Sequence, residues 1–488
     1  MHPFVAQRLG RPEAESGGPT LRRDLGASGL VALGIGSIIG AGLFALSGIA
    51  AAENAGPAVT LSFLIAALGC AFAGMCYSEL ATMIPVAGSA YTYAYATLGE
   101  MVAWIIGWDL VLEYAVSASA VAVSWTEYLV ALLRDLGLAF PARLAQSPFE
   151  GGGAGLVNLP AMLVIAALSL LLMRGIRESS AVNTVLVVIK VAIVLIFVAL
   201  GVGYIDRANY TPFIPANTGR FGEFGWSGVL RGAGVIFFAY IGFDAVSTAT
   251  QEAKDPQRSV PIGILGSLAI CTILYVAFAL VLTGMVSYRA MQGDAAPVAT
   301  AIARTPYRWL RMLIDVGILA GFTSVILVSL LGQSRVFFSM AEDGLLPRVF
   351  AAIHPRWRTP WRSNLLFMVF SSLLAGFVPM ALLADMTSIG TLLAFVIVCA
   401  GVLVLRRTRP DLPRPYRTPF VPLVPILGIV VCLTLMLALG PENWWRLVVW
   451  LIIGLAIYFG YSRRHSHARR AAATETRLHG IGVRVEAR

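Results

Sequence analysis

Charge is scarce in this chain. Asp, Glu, Lys and Arg make up 13% of its 488 residues, about half the ~25% usual in soluble domains. Hydrophobic residues make up 58%, and the mean hydropathy is +0.79. A soluble protein of this length has to cover its surface with charge. The composition therefore excludes a soluble two- or three-domain enzyme, and it excludes a disordered chain. Cysteine is sparse too. Cys70, Cys76, Cys271, Cys399 and Cys432 all sit inside apolar runs, with no CxxC or Cys/His spacing. That speaks against a disulfide framework and against a zinc site, and leaves five small buried hydrophobes. The histidines are His2, His354, His465, His467 and His479, all in expected loops or tails. No HExxH, GxSxG, Ser-Lys or paired-Asp motif stands where it could do chemistry, so neither an enzyme nor a cofactor is expected. Repeated filter loops, charged rings and Walker motifs are missing, which argues against a channel and against ATP-driven transport by this chain. Residues 1–20 are polar and lack an apolar h-region, so no signal peptide is expected.

Long apolar runs are what the sequence has. Twelve segments stand out, at about 28–53, 57–84, 98–132, 158–173, 180–203, 227–251, 261–286, 314–340, 364–380, 387–405, 421–440 and 444–461. At roughly 20 apolar residues per span, they predict an all-α polytopic membrane protein with twelve transmembrane helices. The formal net charge of +10 then has a membrane explanation. With the N-terminus in the cytoplasm, cytoplasmic segments carry 24 Lys and Arg and outside loops 9; Lys190, Arg231 and Arg335 lie within spans. This positive-inside split predicts N-in and C-in orientation and makes nucleic acid unnecessary as a partner. The domains expected are a cytoplasmic segment 1–27, a transport core 28–405, a final helix pair 406–461 and a basic tail 462–488.

Two segments are unusual. The first contains GIGSIIGAGLF (Gly34 to Phe44), with four glycines in mid-span; the sixth contains FFAYIGFDAVST (Phe237 to Thr248), with a glycine and an aspartate there. They open segments 1–5 and 6–10, the two halves of the expected core (28–203 and 227–405). Broken helices at matching positions of two inverted repeats are the best sequence pointer to a transporter's substrate site. A break frees backbone N–H and C=O groups, which membrane depth tolerates only where they line a cavity or bind something. Close small-residue packing of helices is the competing explanation for the glycines.

The residues around these breaks carry a resemblance. LGIGSIIGAGLFALSG, CYSELATMIPVAGSAYTYAYATLGE (Cys76 to Glu100), WIIGWDLVLEYAVSASAVAV (Trp104 to Val123), FFAYIGFDAVSTATQEAKDPQRSVPIGI (Phe237 to Ile264) and GQSRVFFSMAEDGLLP (Gly332 to Pro347) together resemble the cationic amino acid transporter family. That family lies in the amino acid–polyamine–organocation superfamily. The likeness spans about residues 20–460. It implies the five-plus-five inverted-repeat fold with helices 1 and 6 broken, alternating access, and residence in a bacterial cytoplasmic (inner) membrane. One departure is Gln251-Glu252, where the family usually has two acidic residues.

An amino acid substrate presents a carboxylate and an ammonium. Free N–H groups of Gly40, Ala41 and Gly42, at the start of a half-helix, suit the carboxylate. Unwound carbonyls around Ser37 and Ile38, and around Phe238, Ala239 and Ile241, suit the ammonium's three donors; the resemblance assigns these stretches the same roles. Phe322 is expected, from the family alignment, at the pocket floor. There it fills the space a long cationic side chain needs, so small or medium neutral amino acids are the expected substrates, with cationic ones as the alternative.

Charged side chains at membrane depth cost about 2.5–3.5 kcal/mol each and usually face an internal path. Lys190 is the eleventh residue of its segment; its stem of ~6 Å is too short to cross a half-core of ~15 Å. The family places a lysine there, where sodium-coupled relatives of the fold hold a cation. Its ammonium can bond the unwound carbonyls near Ser37 to Gly40 and, by changing environment, take up and release a proton. Glu113, Tyr275 and Asp244 are candidate relay groups, and Asp109 shares a helix face with Glu113. Thr323 and Ser324 are the alternative ion ligands. Glu79 and Arg335, nearer the cytoplasm, are candidates for an inner gate. The expectation is proton-coupled amino acid symport; the runner-up is an exchanger of amino acids or polyamines.

Overall fold

The computed structural model describes residues 25–83, 89–149, 155–175, 180–248, 250, 253–294 and 296–467. The Gln251-Glu252 departure, most of segment 1–27 and most of the basic tail lie outside them. Among the described residues the molecule is all-helical. Its one β-type contact is a single parallel bridge from Leu25 to Ala253, which ties the start of the first helix to the approach of a later one.

The principal helices are α1 (Ala27–Ile38), α2 (Val59–Met83), α3 (Ser89–Thr97), α4 (Glu100–Asp135), α5 (Leu159–Met173), α6 (Ser180–Gly201), α7 (Gly225–Ile236), α8 (Pro256–Met285), α9 (Arg308–Glu342), α10 (Trp361–Phe377), α11 (Met380–Thr408), α12 (Leu423–Ala438) and α13 (Pro441–Ile457). Each of the twelve apolar segments overlaps helix in this structure. Among the described residues, eight stretches are long and apolar enough to cross a membrane; α1, α5 and α12 are apolar but shorter. One of the eight, Gly42–Met83, holds two of the expected segments in a single run. Gly56, with φ +60°, stands between them ahead of Pro57. A left-handed residue turns the chain at low cost only if it lacks a Cβ.

These helices are apolar nearly all round, as helices buried in a bundle or facing lipid must be. Their contacts set the architecture. α8 runs along α1 and α2, α9 along α4, α10 along α5, α11 along α12, and α6 against both α1 and α9. Small residues allow close approach: a Cβ on Gly317 of α9 would lie 2.3 Å from Ile193 of α6, and one on Gly201 of α6 2.3 Å from Val281 of α8. The buried core is continuous from Leu30 to Tyr458. All five cysteines are buried and free. One pair of charged residues meets within the bundle near its ends. Arg231 of α7 meets Asp385 of α11 at 2.7 Å, and Asn443 of α13 donates to the same carboxylate oxygen.

Candidate substrate and coupling site

The regular hydrogen bonding of α1 stops at Ile38, and the helix resumes as a π turn over Gly42–Leu46. Among the described residues, no backbone acceptor meets the N–H groups of Gly40, Ala41 or Gly42. The second break follows α7. A 3-10 turn covers Phe237–Tyr240, Ile241 is extended, Gly242 takes φ +113°, and helix resumes over Ala245–Thr248. Both sequence-predicted breaks are therefore present.

The two breaks touch through their glycines. A Cβ on Gly42 would lie 2.3 Å from the Ala239 Cα, and one on Gly242 2.8 Å from the Ser37 carbonyl oxygen. Each glycine thus seats one broken backbone on the other. This changes the meaning of Gly42: its bare Cα is needed for helix–helix approach before any ligand arrives. Gly40 is less confined, with a Cβ there meeting only Val325, at 3.4 Å.

The carbonyls freed by the breaks have side-chain donors. Tyr275 of α8, fully buried, donates to Ile38 O at 2.9 Å and Ala239 O at 3.1 Å, bridging one break to the other. Lys190 of α6, 1% exposed, donates from Nζ to Gly36 O at 2.7 Å. The expected lysine-to-carbonyl contact exists, one residue before the Ser37–Gly40 range. Gly36 was missed because a backbone acceptor has no side-chain signature. Of the remaining expected acceptors, Phe238 O takes the N–H of Ile241, and the Ser37 hydroxyl turns back to Leu33 O.

Phe322 of α9 is fully buried. Its ring meets Phe44 at 6.1 Å and, edge-on, Tyr128 at 5.7 Å. Tyr128 also donates to Phe44 O at 2.7 Å, bonding a carbonyl in the π turn. Phe322 therefore closes the side of the breaks toward residues 42–55, in company with two aromatics that sequence reasoning did not connect with it. Thr323 and Ser324 spend their hydroxyls on Leu319 O and Gly321 O, and Thr323 also accepts from Trp125.

On the opposite side of the second break lies an acidic cluster. Glu113 belongs to a π turn, Leu112–Val116, inside α4. Such turns are frequent at functional sites. Glu113 and Asp244 are buried neighbours, and Tyr114 points its hydroxyl at Asp244 from 3.4 Å. Asp109, one turn earlier, is buried against Gly390 of α11. Neither oxygen of Asp109 or Glu113 has a hydrogen-bond partner among the described residues. Tyr114 is a functional candidate that the sequence reading passed over, although it follows Glu113 directly.

The gate candidates are not brought together as a pair. Both Glu79 carboxylate oxygens are held by Arg406 at 2.9 Å; Arg414 approaches at 3.4 Å, and Thr418 N–H donates at 2.8 Å. These partners come from the end of α11 and the connection after it. A planar guanidinium fork matches a carboxylate, so Glu79 pins that connection to the end of α2. Arg335 instead lines a separate cavity between α5, α9 and α10.

Two broken helices with their freed backbone groups facing each other, inside an apolar helical bundle, define a solute permease. Residues 25–458 match the family model described as amino acid permease, and the chain belongs to that family, within the amino acid–polyamine–organocation superfamily. The chain is 45% identical over 454 residues to the branched-chain amino acid permease BcaP of Bacillus subtilis, covering 93% of this chain and 96% of the relative. It is 43% identical to the methylthioribose transporter of the same organism, over 95% and 98% of the two chains. To the vacuolar cationic amino acid transporter 4 of Arabidopsis thaliana it is 40% identical over 80% of this chain and 64% of the relative.

Proposed function

We propose that this chain is a secondary active carrier that takes up small or medium neutral L-amino acids with protons by alternating access. The observation that carries the coupling is the buried Lys190 ammonium bonded to Gly36 O, next to the break. A charge at that depth is costly unless it is bonded or serves transport. Here its acceptor belongs to the backbone of α1, so movement of α1 changes the lysine's environment. A proton gained or lost at Nζ is thereby linked to the state of the substrate site. Glu113, Asp244 and Tyr275 act as relay groups around the second break.

In this reading, Gly40, Ala41 and Gly42 hold the substrate carboxylate. The carbonyls of Ile38 and Ala239, with those near Ser37, Phe238 and Ile241, hold the ammonium. The Tyr275 hydroxyl donates to two of these carbonyls, so substrate and tyrosine share them. Preference for neutral side chains is supported by the closed aromatic group of Phe322, Phe44 and Tyr128 and by similarity to branched-chain amino acid permeases from two organisms. Similarity to cationic amino acid transporters and to a methylthioribose transporter keeps cationic substrates and exchange as the second reading. The proposed frame is twelve spans in two inverted repeats (28–203 and 227–405) plus a final pair, with both termini in the cytoplasm of a bacterial inner membrane. Arginine-rich ends support that orientation: Arg406 at the end of α11 and Thr418 bond Glu79 at the end of α2, and Pro415 and Tyr416 share a cavity with Asp255 and Arg258, next to the Leu25–Ala253 bridge.

Uptake by proteoliposomes tests the proposal. Alanine or valine uptake should rise with an inward proton gradient, persist without sodium and collapse with a protonophore. Lys190→Met should abolish gradient-driven accumulation. A mutant that still concentrates substrate, or a wild type that answers only to sodium, would show that Lys190 does not couple transport.

A further inference from the structure

On the side of residues 42–55 the two broken helices are joined by more than their glycines. The side-chain amide of Asn54, at the end of that half-helix, donates to Gly222 O at 2.9 Å, and the Phe224 N–H donates to Asn54 O at 2.8 Å. A Cβ on Gly228 of α7 would lie 2.1 Å from the same Asn54 oxygen. At the other end Gly42 is seated on Ala239. Residues 42–55 and α7 are thus fixed to each other at both ends. Elements held this way move as one body, turning at the few residues where regular structure stops.

Arg231 fastens this body to the rest of the bundle. One guanidinium nitrogen meets Asp385 of α11 at 2.7 Å, and the other donates to Leu439 O, in the turn between α12 and α13. Asp385 stands near the start of α11 and Arg406 near its end, so about 30 Å of helix separates this pair from the Glu79 pair. The two pairs are built differently. The Glu79 side chain is 1% exposed. The Asp385 side chain is 12% exposed and that of Arg231 22%, so water reaches their contact. Asn443 of α13 donates both to Asp385, at 2.7 Å, and to Leu439 O, at 2.8 Å. When Arg231 leaves, neither acceptor is bare. Glu53, within the 42–55 half-helix, interacts with the Arg231 charge and travels with it. Breaking a buried pair is costly because it strands a charge. Here each charge keeps a partner, so the contact can open and close.

We propose, on the alternating-access reading given above, that Arg231 and Asp385 form a latch. Closed, it holds the 42–55 half-helix and α7 against α11 and α13 and shuts this end of the substrate site. It releases when the site opens toward that end. Both are positioning residues: Arg231 acts through α7, whose regular turns stop at Phe237 in the second break.

The test combines hydrogen–deuterium exchange, read by mass spectrometry on the purified full chain in detergent, with valine counterflow in proteoliposomes. In Asp385→Asn and in Arg231→Gln, amides of residues 42–55 and 222–236 should exchange about fivefold faster, while those of α2 near Glu79 exchange as in wild type. Counterflow should slow about threefold in Arg231→Gln and recover in Arg231→Lys, which keeps the charge for Asp385. Asp385→Asn keeps the shape of the side chain, so it decides the matter if Arg231→Gln does not fold. Exchange raised along the whole chain, with a matching fall in unfolding temperature, overturns the latch in favour of a plain structural pair. Counterflow in wild type with unchanged exchange in both variants overturns the latch and leaves alternating access standing. No counterflow in wild type overturns alternating access and the latch with it.

Discussion

Replacing Tyr275 by Phe removes one hydroxyl and nothing else. The ring stays packed against Phe63 at 5.5 Å and Tyr240 at 5.4 Å, so the apolar contribution is conserved. What is lost is the donor shared by Ile38 O and Ala239 O, two buried carbonyls at opposite breaks. One O–H divided between two acceptors is worth about one good hydrogen bond, and a buried acceptor left bare costs about 1–3 kcal/mol. The variant should therefore be less stable by about 1–3 kcal/mol without substrate, a fall of a few degrees in unfolding temperature. The same carbonyls are the proposed acceptors of the substrate ammonium. Saturating substrate should then restore donors to both, so the substrate-induced rise in unfolding temperature should be larger in Tyr275→Phe than in wild type. The assay is thermal unfolding of the two purified proteins with and without saturating amino acid. Wild-type stability in the absence of substrate would refute the bridge between the breaks. A deficit that persists undiminished at saturation would refute the shared use of these carbonyls.

Gly42→Ala should fail to give folded protein on size-exclusion chromatography, because its Cβ would lie 2.3 Å from the Ala239 Cα, whereas Gly40→Ala should fold and lose substrate affinity; equal expression and uptake of both variants would remove the carboxylate from this break. Glu79→Leu leaves Arg406 and the Thr418 N–H without their shared acceptor; with the Arg406 side chain 26% exposed, the loss should fall near the lower end of the about 3–5 kcal/mol seen on breaking a buried pair, measured as a lowered unfolding temperature that salt barely changes. Phe322→Ser opens the space between Phe44 and Tyr128 and should extend uptake in a competition assay toward longer side chains, with arginine still failing to compete against alanine in the wild type.

Much of this molecule is legible in one dimension because the membrane imposes one-dimensional constraints. Apolar runs had to be helical, since hydrocarbon leaves no other way to satisfy the backbone, and each expected run overlaps helix. The breaks were legible for the same reason. Glycines and an aspartate in mid-span have few explanations, and both stretches, Gly34 to Phe44 and Phe237 to Thr248, depart from regular helix where expected. Lys190 stood out because its depth is a count along the chain. What a count cannot supply is which groups meet. Only packing decided that the lysine reaches Gly36 O, that Tyr275 joins Ile38 to Ala239, and that Gly42 faces a backbone. Backbone acceptors carry no residue-specific signal, so no pattern could have named them. Glu79 shows the same limit for side chains. Its charge at a helix end calls for a partner, and sequence position offers Arg335. Folding instead brought Arg406, 327 positions away, to 2.9 Å, because α2 and α11 end side by side and the connection after α11 closes over both.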